Sequence, residues 1–259
     1  MRGLNLLQHC FQPFLELAAE LRAGDEGAHV GRTYGQTRDQ KGGTFLSSYA
    51  RTLTNGGLRF HTDRTDVVGL LCVRQAMKGG VSTIASTPAI HNAILARRPD
   101  LLDALFTDYW RSRFGEEGTG KDGSSTTRAT AYPLPIFGVV DGKFTSHYSL
   151  TFIEAAQLAD DIPKLSAAQK EAIDVLMATA QELCFEMTLE PGDLQLINSH
   201  VTYHGRTPCE DDFEAGKSRM LLRLWLTMAN NRPLPAGHEV LWQSIEAGQP
   251  RGGIRQVSI

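Results

Sequence analysis

A chain of 259 residues with 41% apolar and 21% charged residues can bury a full core, as one large domain or two small ones. A net charge of −3 and a pI near 6.2 exclude the basic footprint of a nucleic-acid binder and give no attraction to an anionic membrane surface. Cys10, Cys72, Cys184 and Cys209 lie far apart and form no C-x-x-C pair, so four reduced thiols are expected.

Met1 to Ala23 carries Leu4, Leu7, Phe11, Phe14, Leu15, Ala18 and Leu21, a spacing that suits an amphipathic helix after Pro13. Gln8, His9 and Gln12 interrupt any secretory apolar run, and Glu16 and Glu20 argue against a mitochondrial transit peptide. No stretch approaches the roughly 20 apolar residues of a membrane span, so the expected location is the cytoplasm. Gly24 to Gly57 is polar and glycine-rich, and should wrap the surface or edge a site.

Leu58 to Asp66 contains His61-Thr62-Asp63. On a strand, positions i and i+2 share a face, so the imidazole and the carboxylate leave the backbone together while Thr62 turns away. That supplies two ligands of a 2-His-1-carboxylate triad, which leaves open positions on non-haem Fe(II). Alone, H-x-D is a weak signal.

Val67 to Arg74 is an apolar run of strand length, Lys78-Gly79-Gly80 a turn, and Val81 to Ala85 the next strand. Thr87 as N-cap and Pro88 as first helical residue start a helix that runs to about Arg97 and is stopped by Pro99. Asp100 to Thr107 gives a second helical piece. Gly115 to Lys121 matches the start of a phosphate-binding loop, but Asp122 replaces the Mg²⁺-binding hydroxyl and no apolar strand leads in; a loop or lid is the better reading.

Pro133 to Val140 and Lys143 to Leu150 flank Asp141-Gly142, a strong hairpin signal. The longest helix is predicted over Ser166 to Glu186, with a Ser166/Gln169 capping box and an apolar face through Ala172, Leu176 and Ala180. Pro191-Gly192-Asp193 turns into a strand Leu194 to Ile197, and a last strand, Arg219 to Met228, precedes a polar tail. With no repeat and no linker, one domain over 1–259 is expected, its core at about 58–228. The pattern predicts a mainly β protein with helical insertions, and a double-stranded jelly roll fits.

A second histidine is available downstream. His204, followed by Gly205 and Arg206, is preferred over His200 as the third ligand. On the last strand a period of two puts Arg219, Leu221, Arg223 and Trp225 on one face. Two guanidiniums on so apolar a strand are costly unless an anion or acidic side chain meets them. An iron beside such a pocket is what a 2-oxoacid needs, its keto and C1 carboxylate oxygens on the metal and its far carboxylate on an arginine.

His61-Thr-Asp63, Gly79-Gly80-Val-Ser82, Pro191-Gly-Asp193, His204-Gly-Arg206 and Arg219-x-x-x-Arg223-Leu-Trp225 occur in the order of the taurine dioxygenase-like (TauD/TfdA) family, which the chain resembles over roughly residues 55 to 228. The resemblance implies a clavaminate synthase-like jelly roll. It implies Fe(II) held by His61, Asp63 and His204, and 2-oxoglutarate held by Arg219 at its distal carboxylate and Arg223 near C1, with a hydroxyl from Ser82 or, as fallback, Thr83. The implied reaction uses O2 to hydroxylate a small organic molecule with release of succinate and CO2. Asp63 in the carboxylate position leaves no halide site. Two departures affect the substrate side: only 60 residues precede His61, and Gly115 to Thr127 is unusually loose.

The rival readings are a non-catalytic jelly-roll binding protein and a metal-dependent hydrolase using the same ligands; neither explains Arg219 and Arg223 together. Arg64, Arg206 and Tyr203 flank the expected ligands and are candidates to meet substrate, while Asp66 reads as structural. A small acid, an amino acid or a natural-product intermediate would suit, with no nucleic acid or membrane partner; a homo-oligomer is compatible with the sequence.

Overall fold

The computed structural model describes residues 34–36, 56–112, 131–212, 214–215 and 218–252. The expected N-terminal helix, most of the Gly24–Gly57 stretch and the Gly115–Lys121 loop lie outside them. In chain order the elements are β1 (Tyr34–Gln36), β2 (Leu58–His61), β3 (Val67–Arg74), β4 (Lys78–Gly79), β5 (Ser82–Ser86), α1 (Thr87–Arg97), α2 (Pro99–Leu105), β6 (Asp108–Ser112), β7 (Ala131–Pro135), β8 (Phe137–Val140), β9 (Lys143–Ser146), α3 (Leu150–Gln157), α4 (Ala167–Glu182), β10 (Phe185–Met187), β11 (Leu194–Asn198), β12 (Thr202–Arg206), β13 (Cys209–Glu210), β14 (Met220–Leu226) and α5 (Glu239–Trp242).

Two four-stranded antiparallel sheets dominate, ordered β1-β14-β3-β11 and β10-β5-β12-β2. The continuous apolar run of β3 sits inside the first sheet between β14 and β11, where both of its edges are paired. The alternation of β11 shows which face is inward: Gln195 and Ile197 are buried, while Leu194 and Leu196 are exposed. In the second sheet, Phe60, Ala85 and Tyr203 pack with Ile90 and Ile94 of α1, Leu101 and Leu105 of α2, and Ile173 and Leu176 of α4. Helices therefore cover that face, and the residues alternating with Ala85 and Tyr203 point the other way. Burial of a Leu or Ile side chain contributes about 1.5–3 kcal/mol, so this cluster anchors the sheet firmly.

Local signals place most elements to within a residue or two. Ser166 and Gln169 form the predicted capping box, each side chain bonding the other's backbone N–H at 3.1 Å. Asp141 and Gly142 both take positive φ, 49° and 69°, which matches the twist of the β8–β9 hairpin. Four boundaries differ from the sequence reading. The cap of α1 is Ser86, whose hydroxyl accepts from Ala89 N, so Thr87 is the first helical residue. Pro99 opens α2 rather than merely ending α1, using the first-turn position where its missing N–H costs nothing. Helix α4 stops at Glu182, and Phe185–Met187 pairs with β5 instead. Pro133 belongs to β7, paired with β6, rather than to the hairpin.

The segment after β14 is more than a polar tail. Leu234, Leu241 and Trp242 pack against Tyr132 and Leu134 as a second small core. Its apolar residues are isolated among polar ones, so no periodicity betrays it.

Candidate active site

Three ligand-type side chains converge at the end of β2. One ligand atom each from His61, Asp63 and His204 lies within 4.8 Å of the other two; among the described residues no other group of His, Cys, Asp or Glu does this. His61 ends β2 and His204 is its ladder partner on β12, so the two imidazoles stand side by side with centroids 4.2 Å apart. Asp63 arrives differently from the expectation of a shared strand face, because β2 stops at His61 and Asp63 lies on the turn beyond. Thr62 ends the strand. Its N–H donates to Tyr148 O (2.8 Å), and its hydroxyl accepts from Tyr148 N (3.0 Å) and pairs with His147 Nδ1 (3.1 Å). With Thr62 anchored outward, Asp63 turns in, 3.9 Å from both His61 Nε2 and His204 Nε2.

The local backbone needs glycine between His204 and Arg206. A Cβ on Gly205 would come 2.6 Å from Leu58 O and 3.0 Å from Thr83 Oγ1. Any other residue would push β12 off β2 and separate the two histidines.

The protonation states suit a cation. Burial drives His61 down, and burial with His61 alongside drives His204 down to about 3. Burial pushes the Asp63 carboxyl up, but Arg223, His204, His61 and a Trp225 hydrogen bond outweigh it and hold the carboxyl down to about 2. His61 Nδ1 faces Arg59 O at 2.9 Å, so Nδ1–H donates there and the Nε2 lone pair faces Asp63. Two neutral imidazoles and one carboxylate are ready at neutral pH without displacing a proton, a donor set that fits Fe(II).

His200 goes elsewhere. Its Nε2 is 2.8 Å from Asp66 Oδ1 and its Nδ1 3.1 Å from Thr145 Oγ1, both buried. Asp66 itself is fully occupied: it accepts from Arg251, Met228 N and Asn231, a structural role.

Strand register separates Ser82 from Thr83. On β12, His204 pairs with Ile84 and Arg206 with Ser82, whereas Gly205 pairs with Thr83. Paired residues share a face, so Ser82 points with His204 and Arg206 between the sheets, and Thr83 points toward the helix-covered side. Both are buried. Ser82 Oγ lies 3.1 Å from Gln195 Oε1 of the facing sheet. Gln195 escaped the sequence reading, although a polar residue at the buried phase of Leu194-Gln-Leu-Ile197 was the available signal.

Arg219 precedes β14 by one residue, at a shift in register against β3. Its side chain lies over Gly80, where a Cβ would stand 2.9 Å from Arg219 Cδ. Burial and the charge of Arg206 lower Arg219 to about 10. Arg223 stands by the triad, with Nη1 3.5 Å from Asp63 Oδ2. Of the remaining candidates, Arg206 is buried and donates to Cys209 Sγ at 3.2 Å. Arg64 stacks over Trp225 at 5.7 Å. Tyr203 is a core residue, with its hydroxyl 2.6 Å from Ser146 Oγ. No helix among the described residues is long and apolar enough to cross a membrane.

Residues 5–225 match the family model for taurine catabolism dioxygenase TauD, TfdA family. The chain is 33% identical to FR-33289 synthase of Streptomyces rubellomurinus over 251 residues, covering 90% of this chain and 71% of that protein. It is 28% identical to the taurine hydroxylase-like protein SAT17 of Stachybotrys chartarum, covering 64% of this chain but 41% of that protein. Among solved structures, an asparagine oxygenase complex with Fe(II), 2S,3S-3-hydroxyasparagine and succinate superposes with a TM-score of 0.54 at 19% identity, over 74% of this chain and 55% of that one. The non-heme iron oxygenase OrfP with Fe and alpha-ketoglutaric acid gives 0.50 at 18% identity, over 76% and 60%. The chain thus spans less than two thirds of SAT17 and of both solved chains. These likenesses show the fold, a mainly β jelly roll with helical insertions. By the family match over most of its length and its identity to FR-33289 synthase, the chain belongs to the TauD/TfdA family of dioxygenases.

Proposed function

We propose that this protein is an Fe(II)- and 2-oxoglutarate-dependent dioxygenase that hydroxylates a small organic molecule with release of succinate and CO2. The observation that carries the reading is the convergence of His61, Asp63 and His204, with Arg223 3.5 Å from the Asp63 carboxylate. Fe(II) chelated by 2-oxoglutarate would supply the oxidising chemistry with O2. The chain's own residues do the rest. His61, Asp63 and His204 hold the ion on one side and leave the other side open. Arg219 takes the distal carboxylate of 2-oxoglutarate, with Ser82 as hydroxyl donor, and Arg223 neutralises charge near C1. The two neutral histidines and the ionised Asp63 bind without proton release, so the site is ready at neutral pH.

Fe(II) with succinate in the asparagine oxygenase complex, and Fe with alpha-ketoglutaric acid in the OrfP complex, support the same cofactors here. Their hydroxylated amino-acid ligands support a small polar molecule as substrate.

The test is anaerobic addition of Fe(II) and 2-oxoglutarate, followed by the visible metal-to-ligand charge-transfer band. A band is expected in the wild-type protein, with succinate formed once O2 and a substrate are admitted. Absence of the band would remove the cosubstrate assignment.

A further inference from the structure

Asp63 is the one expected ligand that no strand holds. His61 and His204 are locked by the β2–β12 ladder, whereas Asp63 sits on the turn past β2. Its carboxylate is instead gripped from the opposite sheet. Trp225 Nε1–H donates to Asp63 Oδ2 at 2.9 Å, and Arg223 Nη1 stands 3.5 Å from the same oxygen. Trp225 is well placed to do this, because it belongs to β14 and pairs with Val68 of β3 inside the first sheet. Two guanidiniums also lie against its ring, with Arg223 Cζ 5.0 Å and Arg64 Cζ 5.7 Å from the centroid. These contacts and the strand pairing restrain the indole and the direction of its N–H.

We propose that Trp225 is a positioning residue that fixes the Asp63 carboxylate toward the two histidines. Oδ2 accepts from the indole and lies 3.9 Å from His204 Nε2, while Oδ1 lies 3.9 Å from His61 Nε2. This deepens the proposed function and rests on it. The physical basis is general: a ligating carboxylate outside a strand or helix loses affinity to its own rotamer freedom, and an outer donor that removes that freedom raises affinity. An indole N–H is a donor only, so it cannot compete for the metal.

The test is Trp225→Phe, which keeps an aromatic ring beside the two arginines and deletes the donor. Fe(II) affinity is read by anaerobic calorimetry without cosubstrate, and the charge-transfer band is then read with 2-oxoglutarate. Affinity should fall roughly 10- to 100-fold, with the band shifted or weakened and the melting temperature within a few degrees of wild type. Wild-type affinity and an unshifted band in the variant would overturn the proposal while leaving the metal site standing. If wild-type protein itself takes up no Fe(II), the site reading falls and this one with it. Should Trp225→Phe melt early, benzothienylalanine at position 225 keeps the indole shape and replaces only the N–H with sulfur. Weaker Fe(II) binding in that protein supports the role, and unchanged binding overturns it.

Discussion

Arg251 donates from Nε and Nη2 to a single oxygen of Asp66, at 3.0 and 2.8 Å, and so ties the last described residues of the chain to the turn that presents Asp63. Both side chains are almost wholly buried. The same oxygen is 2.8 Å from His200 Nε2, and the other accepts from Met228 N and Asn231 Nδ2. A buried, multiply bonded pair adds little over an apolar substitute, but removing one partner strands a charge in the interior. Arg251→Met should therefore cost about 3–5 kcal/mol in urea unfolding. A loss below about 1 kcal/mol would mean that water reaches Asp66 in solution.

Acid should destabilise this same region. Burial, with Arg111 alongside, lowers His238 to about 4 and pushes His147 well down; burial also lowers His200 against the pull of Asp66. Each folded histidine thus binds protons less readily than its unfolded counterpart, whose pKa is about 6.5. The stabilisation is full above that value and is lost as pH falls through the folded pKa. For His238 the interval from about 6.5 to about 4 corresponds to roughly 3 kcal/mol. Urea midpoints between pH 7.5 and pH 4.5 should fall steeply, and His238→Gln should flatten that slope. An unchanged slope in His238→Gln would show that other groups carry the acid loss.

Much of this was legible because the relevant signals are local. The capping box of α4, the Asp141-Gly142 hairpin and the eight-residue run of β3 each need only neighbouring residues to be recognised. The pairing of His61 with His204 depends on chain distant in sequence, and only the order of several short motifs pointed to it. What stayed hidden is set by tertiary contact. Ser82 and Thr83 are equivalent until the register against β12 gives them opposite faces. Trp225 could be placed on the face of the two arginines from the sequence, but its N–H bond to Asp63 depends on the fold. The segment from Met228 to Gly252 reads as polar because its key groups, Arg251 and Asn231, are spent on Asp66.

Histidine exchange separates the two roles in the Asn198–Arg206 stretch. His204→Ala should lose Fe(II) uptake and the charge-transfer band while staying folded, since its imidazole is a proposed ligand that converges with His61 and Asp63. His200→Ala should keep the band and lose stability by about 1–3 kcal/mol, because Asp66 and Thr145 lose a buried partner. Calorimetric Fe(II) titration beside a melting curve reads both. A band that survived in His204→Ala and vanished in His200→Ala would reverse the ligand assignment.

Sheet register favours Ser82 over Thr83 as the proposed hydroxyl donor to 2-oxoglutarate. Ser82 shares its face with His204 and Arg206, and its oxygen is 3.1 Å from Gln195 Oε1. Thr83 faces away, where its Oγ1 lies against Gly205. A hydrogen bond to a charged acceptor contributes about 1.5–3 kcal/mol, so Ser82→Ala should weaken 2-oxoglutarate binding by roughly 10- to 100-fold. The loss should appear in KM for the cosubstrate, with Fe(II) affinity unchanged, because Ser82 does not reach the triad. Thr83→Val should leave that KM near wild type and lower only the melting temperature. Uncoupled succinate formation at varied 2-oxoglutarate reads both variants without knowledge of the substrate. If Thr83→Val rather than Ser82→Ala raised the cosubstrate KM, β5 would have to slip by one residue against β12. That slip would also carry Ile84 off His204, so the two outcomes test the register of the whole site rather than one side chain.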